Sequence, residues 1–435
     1  MKTIINGIKF QNTNLKFKSF LIGIFFLPSA PAISLLLFLI PIILGLKENY
    51  NKFIKDRQNL ILLLVTFLML FKSIITSFAD INNFQNWDAS LNWAGLGNWI
   101  PQFLIYLGAQ IYVEDACQRE KVAKSLILGT VPVIFSCFSQ YFFKWHGPYQ
   151  LFNGLIIWYQ RPRTELEGIT GLFNNPNYSG AWLAMIWPFL LTYLIQKRKD
   201  GYKFQFLIIF CFSILVIISI SLIKSRGAWL GIISSLPLIF GENIFIWLFP
   251  LILLIIFSIL SFTLIILPET VKQIFSLMYQ GNIPAILNDL NINFENIPRL
   301  NIWNESINLI LEKPLFGWGA AIFPIIYFSK YGEWHGHPHN LFLELSISDG
   351  LITSILIFTF IGLMVFSSTK KIFHKKNDQK GFERAWWASV IIFLILHIFD
   401  VLYFDLRISI VFWILLAGLK GLSNKEANLE FNKVP

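Results

Sequence analysis

The chain has 435 residues, of which 55% are hydrophobic, 17% aromatic and only 14% charged, and its mean hydropathy is +0.60. Soluble globular chains carry about 25% charged residues, so an ordinary soluble domain is excluded and the whole of 1–435 reads as one integral membrane domain. The net charge of +10 would suggest nucleic acid in a soluble protein; here it follows from the cytoplasmic loop bias of membrane proteins, and no nucleic-acid partner is expected.

In chain order, hydropathy predicts an all-α, polytopic helical bundle of about 12 spans, at 18–29, 31–46, 59–78, 96–113, 122–143, 178–196, 204–223, 227–241, 244–267, 339–366, 385–403 and 406–422. The first apolar stretch lacks a small-residue cleavage site and reads as a retained span. Pro28 and Pro31 separate the first two segments, which are two spans or one broken helix. Cys117, Cys137 and Cys211 fall in or beside spans and imply no disulfide framework.

Charge tests this topology. Clusters at Lys2–Lys18, Lys47–Arg57, Arg119–Lys124, Lys197–Lys203, Lys370–Arg384 and Lys420–Lys433 hold most of the 35 basic residues. They share one face if the first two segments form a hairpin, and that face is then cytoplasmic, with both termini. The opposite face receives the loops 144–177 and 268–338. In the larger loop, Leu300, Trp303, Ile307, Ile310 and Leu311 keep helical spacing, which predicts an amphipathic helix on the outer membrane surface.

Four groups on that outer face carry chemistry. Lys224 and Arg226 sit in Lys224-Ser225-Arg226-Gly227, where the usual loop bias disfavours cations; the Arg fork suits phosphate oxygens, or else snorkels to headgroups. Arg299 opens the amphipathic helix, followed by a Pro314-Leu315-Phe316-Gly317-Trp318-Gly319 turn. His335, His337 and His339 alternate beside Glu333; Pro338 is expected to begin a helix with His339 at its lip and Leu343, Ser346, Gly350 and Thr353 on the same face. A neutral imidazole there suits general base work; zinc binding with Glu333 and an inert loop are the rival readings. Asn174-Asn175-Pro176-Asn177 enters the sixth span, where Asn175 or Asn177 either caps the helix or meets sugar hydroxyls.

These motifs resemble the O-antigen ligase and polymerase family. His339-Asn340, nine residues, Gly350, two residues and Thr353 is similar to the family's signature. Ser225-Arg226-Gly227, Arg299-x-x-x-Trp303, the Pro314–Gly319 turn and the Asn174–Asn177 stretch follow the family's order over about 165–360. The resemblance implies transfer of a glycan from an undecaprenyl-diphosphate carrier to a hydroxyl of a lipid A-core or glycan acceptor. The site would lie on the periplasmic face of a bacterial inner membrane, with no metal or other cofactor. It makes His339 the base and Arg226 and Arg299 the holders of the donor diphosphate, with Lys224, His337, Asn340, Asn175, Asn177 and Gly350 in support. Polymerases and protein O-oligosaccharyltransferases share these features. Some cyanobacterial relatives are described as inorganic-carbon transporters, but no paired discontinuous helices of the transporter kind are evident.

Overall fold

The structure, a computed structural model, describes residues 15–78, 87–88, 90–162, 168–240, 298–373 and 381–431. The expected span 244–267 and the first part of the 268–338 loop lie outside these residues. The chain divides into two compact units, one formed from Met1–Phe67, Leu96–Phe240 and Leu356–Pro435, the other from Leu68–Gly95 and Gly241–Ile355.

Helix α1 covers 15–26, followed by α2 (Pro31–Lys55), α3 (Arg57–Phe78), α4 (Leu91–Leu96), α5 (Ile100–Ala109) and α6 (Ala116–Phe142). A small hairpin, β1 (Tyr149–Leu151) paired antiparallel with β2 (Ile156–Trp158), departs from an all-helical chain. Then come α7 (Pro176–Lys199), α8 (Lys203–Ile223), α9 (Arg226–Phe240), α10 (Pro298–Glu312), α11 (Phe323–Tyr331), α12 (Leu341–Phe373), α13 (Gly381–Phe399) and α14 (Leu406–Phe431).

Among the described residues, seven helices are long and apolar enough to cross a membrane: α2, α3, α6, α7, α8, α12 and α13. The molecule is therefore a polytopic membrane protein, with fewer candidate spans than the twelve expected. The reasons are local. The segment 18–29 closes in a turn after 15–26, 96–113 is interrupted at Gly97–Trp99 before a ten-residue helix, and 227–241 forms a fifteen-residue helix. Within the described residues each is shorter than the ~20 that span unaided, while the expected span 406–422 lies in the 26-residue α14, which is not among the seven.

In the first unit α7 is the central helix, with 83% of its apolar window buried, whereas α8, more apolar still, has 28% buried and turns its side chains outward. That contrast is expected in lipid, where apolarity does not imply burial. Helix α7 packs against α8, α9 and α13. Its start is held by the segment before it: the Gln140 side chain on α6 accepts from the Thr170 and Gly171 amides, both at 2.9 Å. Behind it, the Arg407 guanidinium is paired with Asp405 at 2.5 Å, donates to the Leu172 carbonyl at 3.2 Å, and lies 3.8 Å over the Phe173 ring. A buried charge so fully partnered fixes geometry.

In the second unit α10 forms where the spacing predicted a helix, but its apolar side turns inward. Ile302, Ile307, Leu309 and Ile310 join Phe323, Ile326 and Tyr327 of α11 and Leu343 and Ile347 of α12 in one core. Of the five residues expected on a membrane surface, Ile307 and Ile310 enter this core and Trp303 packs against it, while Leu311 stays exposed.

Helix α12 is broken. Gly350 adopts φ 85° and ψ 165°, a region only glycine enters readily. The turn after α10 fills the gap: the Trp318 amide donates to the Ile347 carbonyl at 2.7 Å, the Gly319 amide to the Ser348 carbonyl at 3.2 Å, and the Leu351 amide to the Pro314 carbonyl at 2.8 Å. A side chain at Gly350 would bring its Cβ to 2.1 Å from the Leu315 carbonyl oxygen. One at Gly317, where φ is 67°, would meet the Ile347 carbonyl oxygen at 2.5 Å. The two glycines let the backbones interlock.

Candidate functional site

In the first unit the cationic cluster grows from the short joint between α8 and α9. Lys224 closes α8 in the left-handed conformation, with φ 58°. Ser225 is buried and its hydroxyl accepts from the Ala228 amide at 3.4 Å, so it caps α9. Arg226 is the first residue of α9 and is exposed. Among the described residues it forms no ion pair, and its planar fork suits an anionic ligand. The helix N-terminus behind it adds partial positive charge.

The Asn element settles against this joint. Asn175 is the N-cap of α7, its side chain accepting from the Asn177 amide at 2.8 Å, and Pro176 takes the first helical position. Asn177 bridges: the Ser225 hydroxyl donates to its carbonyl oxygen at 3.0 Å, and its amide donates to Asp400 Oδ2 at 2.7 Å. Asp400, at the end of α13, is a residue the sequence reading missed. A carboxylate following a long apolar span was its only signal. Asn177 thus holds the Arg226 joint with both ends of its side-chain amide, while Asn175 caps α7.

In the second unit the histidines lie in a loop, not on a helix. Helix α12 begins at Leu341 rather than at Pro338, because Asn340 supplies the cap: its side chain accepts from the Leu343 amide at 3.1 Å. His339 stands outside the helix with φ 54°, a conformation that costs a non-glycine residue of order 1–3 kcal/mol and persists only where surroundings impose it. Those surroundings are visible. The His339 amide donates to His337 Nδ1 at 3.2 Å, and the two rings meet edge to face at 4.4 Å. An accepting Nδ1 places the neutral His337 proton on Nε2. The Trp303 indole of α10 donates to the Pro338 carbonyl at 2.9 Å and pins the loop. Arg299 lies four residues before Trp303, on the same face of α10. The Arg-x-x-x-Trp spacing therefore directs a guanidinium and a loop anchor to one side.

The break at Gly350 removes the expected stripe from His339 to Thr353, because the helical register does not continue through it. Gly350 is a joint rather than a lining residue. His335 turns to the Tyr327 ring at 5.1 Å and to Glu333, 3.6 Å away. Beneath the loop, the buried Glu305 of α10 accepts from Lys330 at 2.7 Å and from the Tyr331 hydroxyl at 2.8 Å. The bond to Glu305 raises the Lys330 amine above its usual value, while burial, then the same carboxylate, raises the Tyr331 phenol.

The sequence-predicted residues therefore fall into two groups, each built within one unit: Lys224, Arg226, Asn175 and Asn177 in the first, and Arg299, His337, His339, Asn340 and Gly350 in the second.

Comparison with known proteins agrees with the motifs. Residues 211–358 match a family described as O-antigen ligase. That segment contains Arg226, Arg299, the histidine loop and Gly350, and begins after Asn175 and Asn177. The chain is also 32% identical over 215 residues to a ComP-specific O-oligosaccharyltransferase of Acinetobacter baylyi, an alignment covering 46% of this chain and 36% of that protein. The chain thus matches about a third of its relative's length.

Proposed function

We propose, from the premise that this chain belongs to the O-antigen ligase and polymerase-like family, that it is a membrane enzyme transferring a glycan from a polyprenyl-diphosphate carrier to an acceptor hydroxyl. The observation that carries the reading is the His339 loop: a histidine held in a costly conformation by His337 and by the Trp303 anchor, inside the matched segment.

In this reading the His339 imidazole takes the proton of the acceptor hydroxyl. The acceptor oxygen forms a bond to the anomeric carbon, and the bond from that carbon to the diphosphate oxygen breaks with its electron pair. The departing polyprenyl diphosphate gains negative charge, which Arg226 and Arg299 offset. Guanidinium suits the task because it stays charged and offers paired donors to phosphate oxygens. The reaction would run on the periplasmic face of the inner membrane, where the loop-charge pattern puts these residues.

On the acceptor, the named relative favours a glycan or a protein hydroxyl over the lipid A core, since it is described as an O-oligosaccharyltransferase. The test is to express wild-type and His339→Ala chains in the source strain lacking its own copy. Surface glycans and glycosylated proteins are then resolved on gels. The reading predicts loss of a glycan band or of a glycoprotein mass shift at unchanged expression; which of the two disappears names the acceptor class. Unchanged profiles for both would refute it.

A further inference from the structure

One buried cation belongs to none of the groups above. Lys72 of α3 is 4% exposed, inside a candidate membrane span. A lysine there needs partners. Its ammonium donates to the Ser348 carbonyl and lies 3.3 Å from Asp349 Oδ1. Both residues immediately precede the break at Gly350.

The break explains why a cation is placed there. Where the helix stops, carbonyls lose their i+4 donors. The Ile347 carbonyl is met by the Trp318 amide, and the Ser348 carbonyl by the Gly319 amide together with Lys72. From Ser348 the contacts run towards the histidine loop. The Ser348 hydroxyl donates to the buried Glu344 at 3.1 Å, and the Glu344 amide donates to the Asn340 carbonyl at 3.0 Å, one residue from His339. Every group in this series lies in the second unit.

We infer that Lys72 is a positioning residue: its ammonium locks the α12 break to α3 and so sets the place of the Asn340–His339 turn. An ammonium suits this role because it carries three donors and a charge, serving the Ser348 carbonyl and the Asp349 carboxylate together. The inference rests on the reading of His339 as the base. A base displaced by about 1 Å can lose on the order of 100-fold in rate while substrate binding persists.

The experiment uses the full chain in lipid nanodiscs with Lys72→Met, Lys72→Arg, Lys72→Gln and His339→Ala variants. The donor probe is the lipid-linked glycan fraction extracted from the source membrane, and polyprenyl diphosphate release is followed. Amide exchange is read by mass spectrometry over 314–320 and 341–355. Lys72→Met should exchange faster at Trp318, Gly319 and Leu351 and lose about 10- to 100-fold in kcat with KM within about twofold. Lys72→Arg should restore both, because its fork also serves a carbonyl and a carboxylate. Wild-type exchange and kcat in Lys72→Met, beside an inactive His339→Ala, would overturn the inference and leave the proposed function standing. If Lys72→Met does not fold, Lys72→Gln decides: it keeps a donor for Ser348 but no charge for Asp349, so reduced kcat supports the inference and wild-type kcat overturns it. An active His339→Ala would instead remove the proposed function, and with it the reason to link Lys72 to the base.

Discussion

Replacing Gly350 with alanine tests the interlock between α12 and the Pro314–Gly319 turn. Two costs add. The backbone at φ 85° and ψ 165° penalises a side chain by about 1–3 kcal/mol. The new Cβ would also stand 2.1 Å from the Leu315 carbonyl oxygen and 2.5 Å from its carbon, so the turn must withdraw. Withdrawal weakens three backbone bonds, Trp318 to Ile347, Gly319 to Ser348 and Leu351 to Pro314, each contributing about 0.5–1.5 kcal/mol net. The sum is about 2.5–7.5 kcal/mol. Gly154 supplies the control: its φ is 89°, and a Cβ there meets nothing within 4 Å, so Gly154→Ala should cost only the conformational part, about 1–3 kcal/mol. Denaturant unfolding in a mild detergent, followed by tryptophan fluorescence, compares the two. Equal destabilisation of both variants would refute the interlock.

Trp303→Phe keeps a ring in place but leaves the Pro338 carbonyl without its indole donor; a local cost of about 1–2 kcal/mol should appear as faster amide exchange at 339–344, with unchanged exchange in α7. Glu305→Gln removes the carboxylate that raises Lys330 above 10.5. A raised amine stabilises the folded state fully below 10.5 and loses that contribution as pH climbs through the folded value. NMR titration of Lys330 should therefore give a higher midpoint in the native chain than in the variant; identical midpoints would contradict the assignment. Arg226→Lys and Arg299→Lys keep charge but lose the fork, so each should lower transfer by about tenfold or more while leaving expression unchanged; wild-type transfer in both would remove the diphosphate role.

Hydropathy made the long helices legible, because α2, α3, α6, α7, α8, α12 and α13 each hold enough apolar residues to register without knowing their neighbours. It could not reveal the break in α12. An average over 339–366 hides one glycine, and the residues that fill the gap arrive from the Pro314–Gly319 turn. The same limit applies to Trp303, whose spacing from Arg299 is visible but whose partner, Pro338, lies 35 positions away. Helical periodicity identified α10 and its apolar side, yet not whether that side meets lipid or protein. The Asn174–Asn177 stretch was legible as a cap because capping is local; the Ser225–Asn177–Asp400 series depends on three separate helices. Lys72 was visible as a charge within an apolar run, a signal that warrants weight wherever a span is otherwise uncharged.

The most direct test of the central claim is polyprenyl diphosphate release by purified wild-type and His339→Ala protein supplied with the lipid-linked glycan fraction of the source membrane. The account predicts turnover by the wild type and a loss of at least about 100-fold in the variant, with its fold intact by amide exchange. Equal release by the two proteins would contradict it.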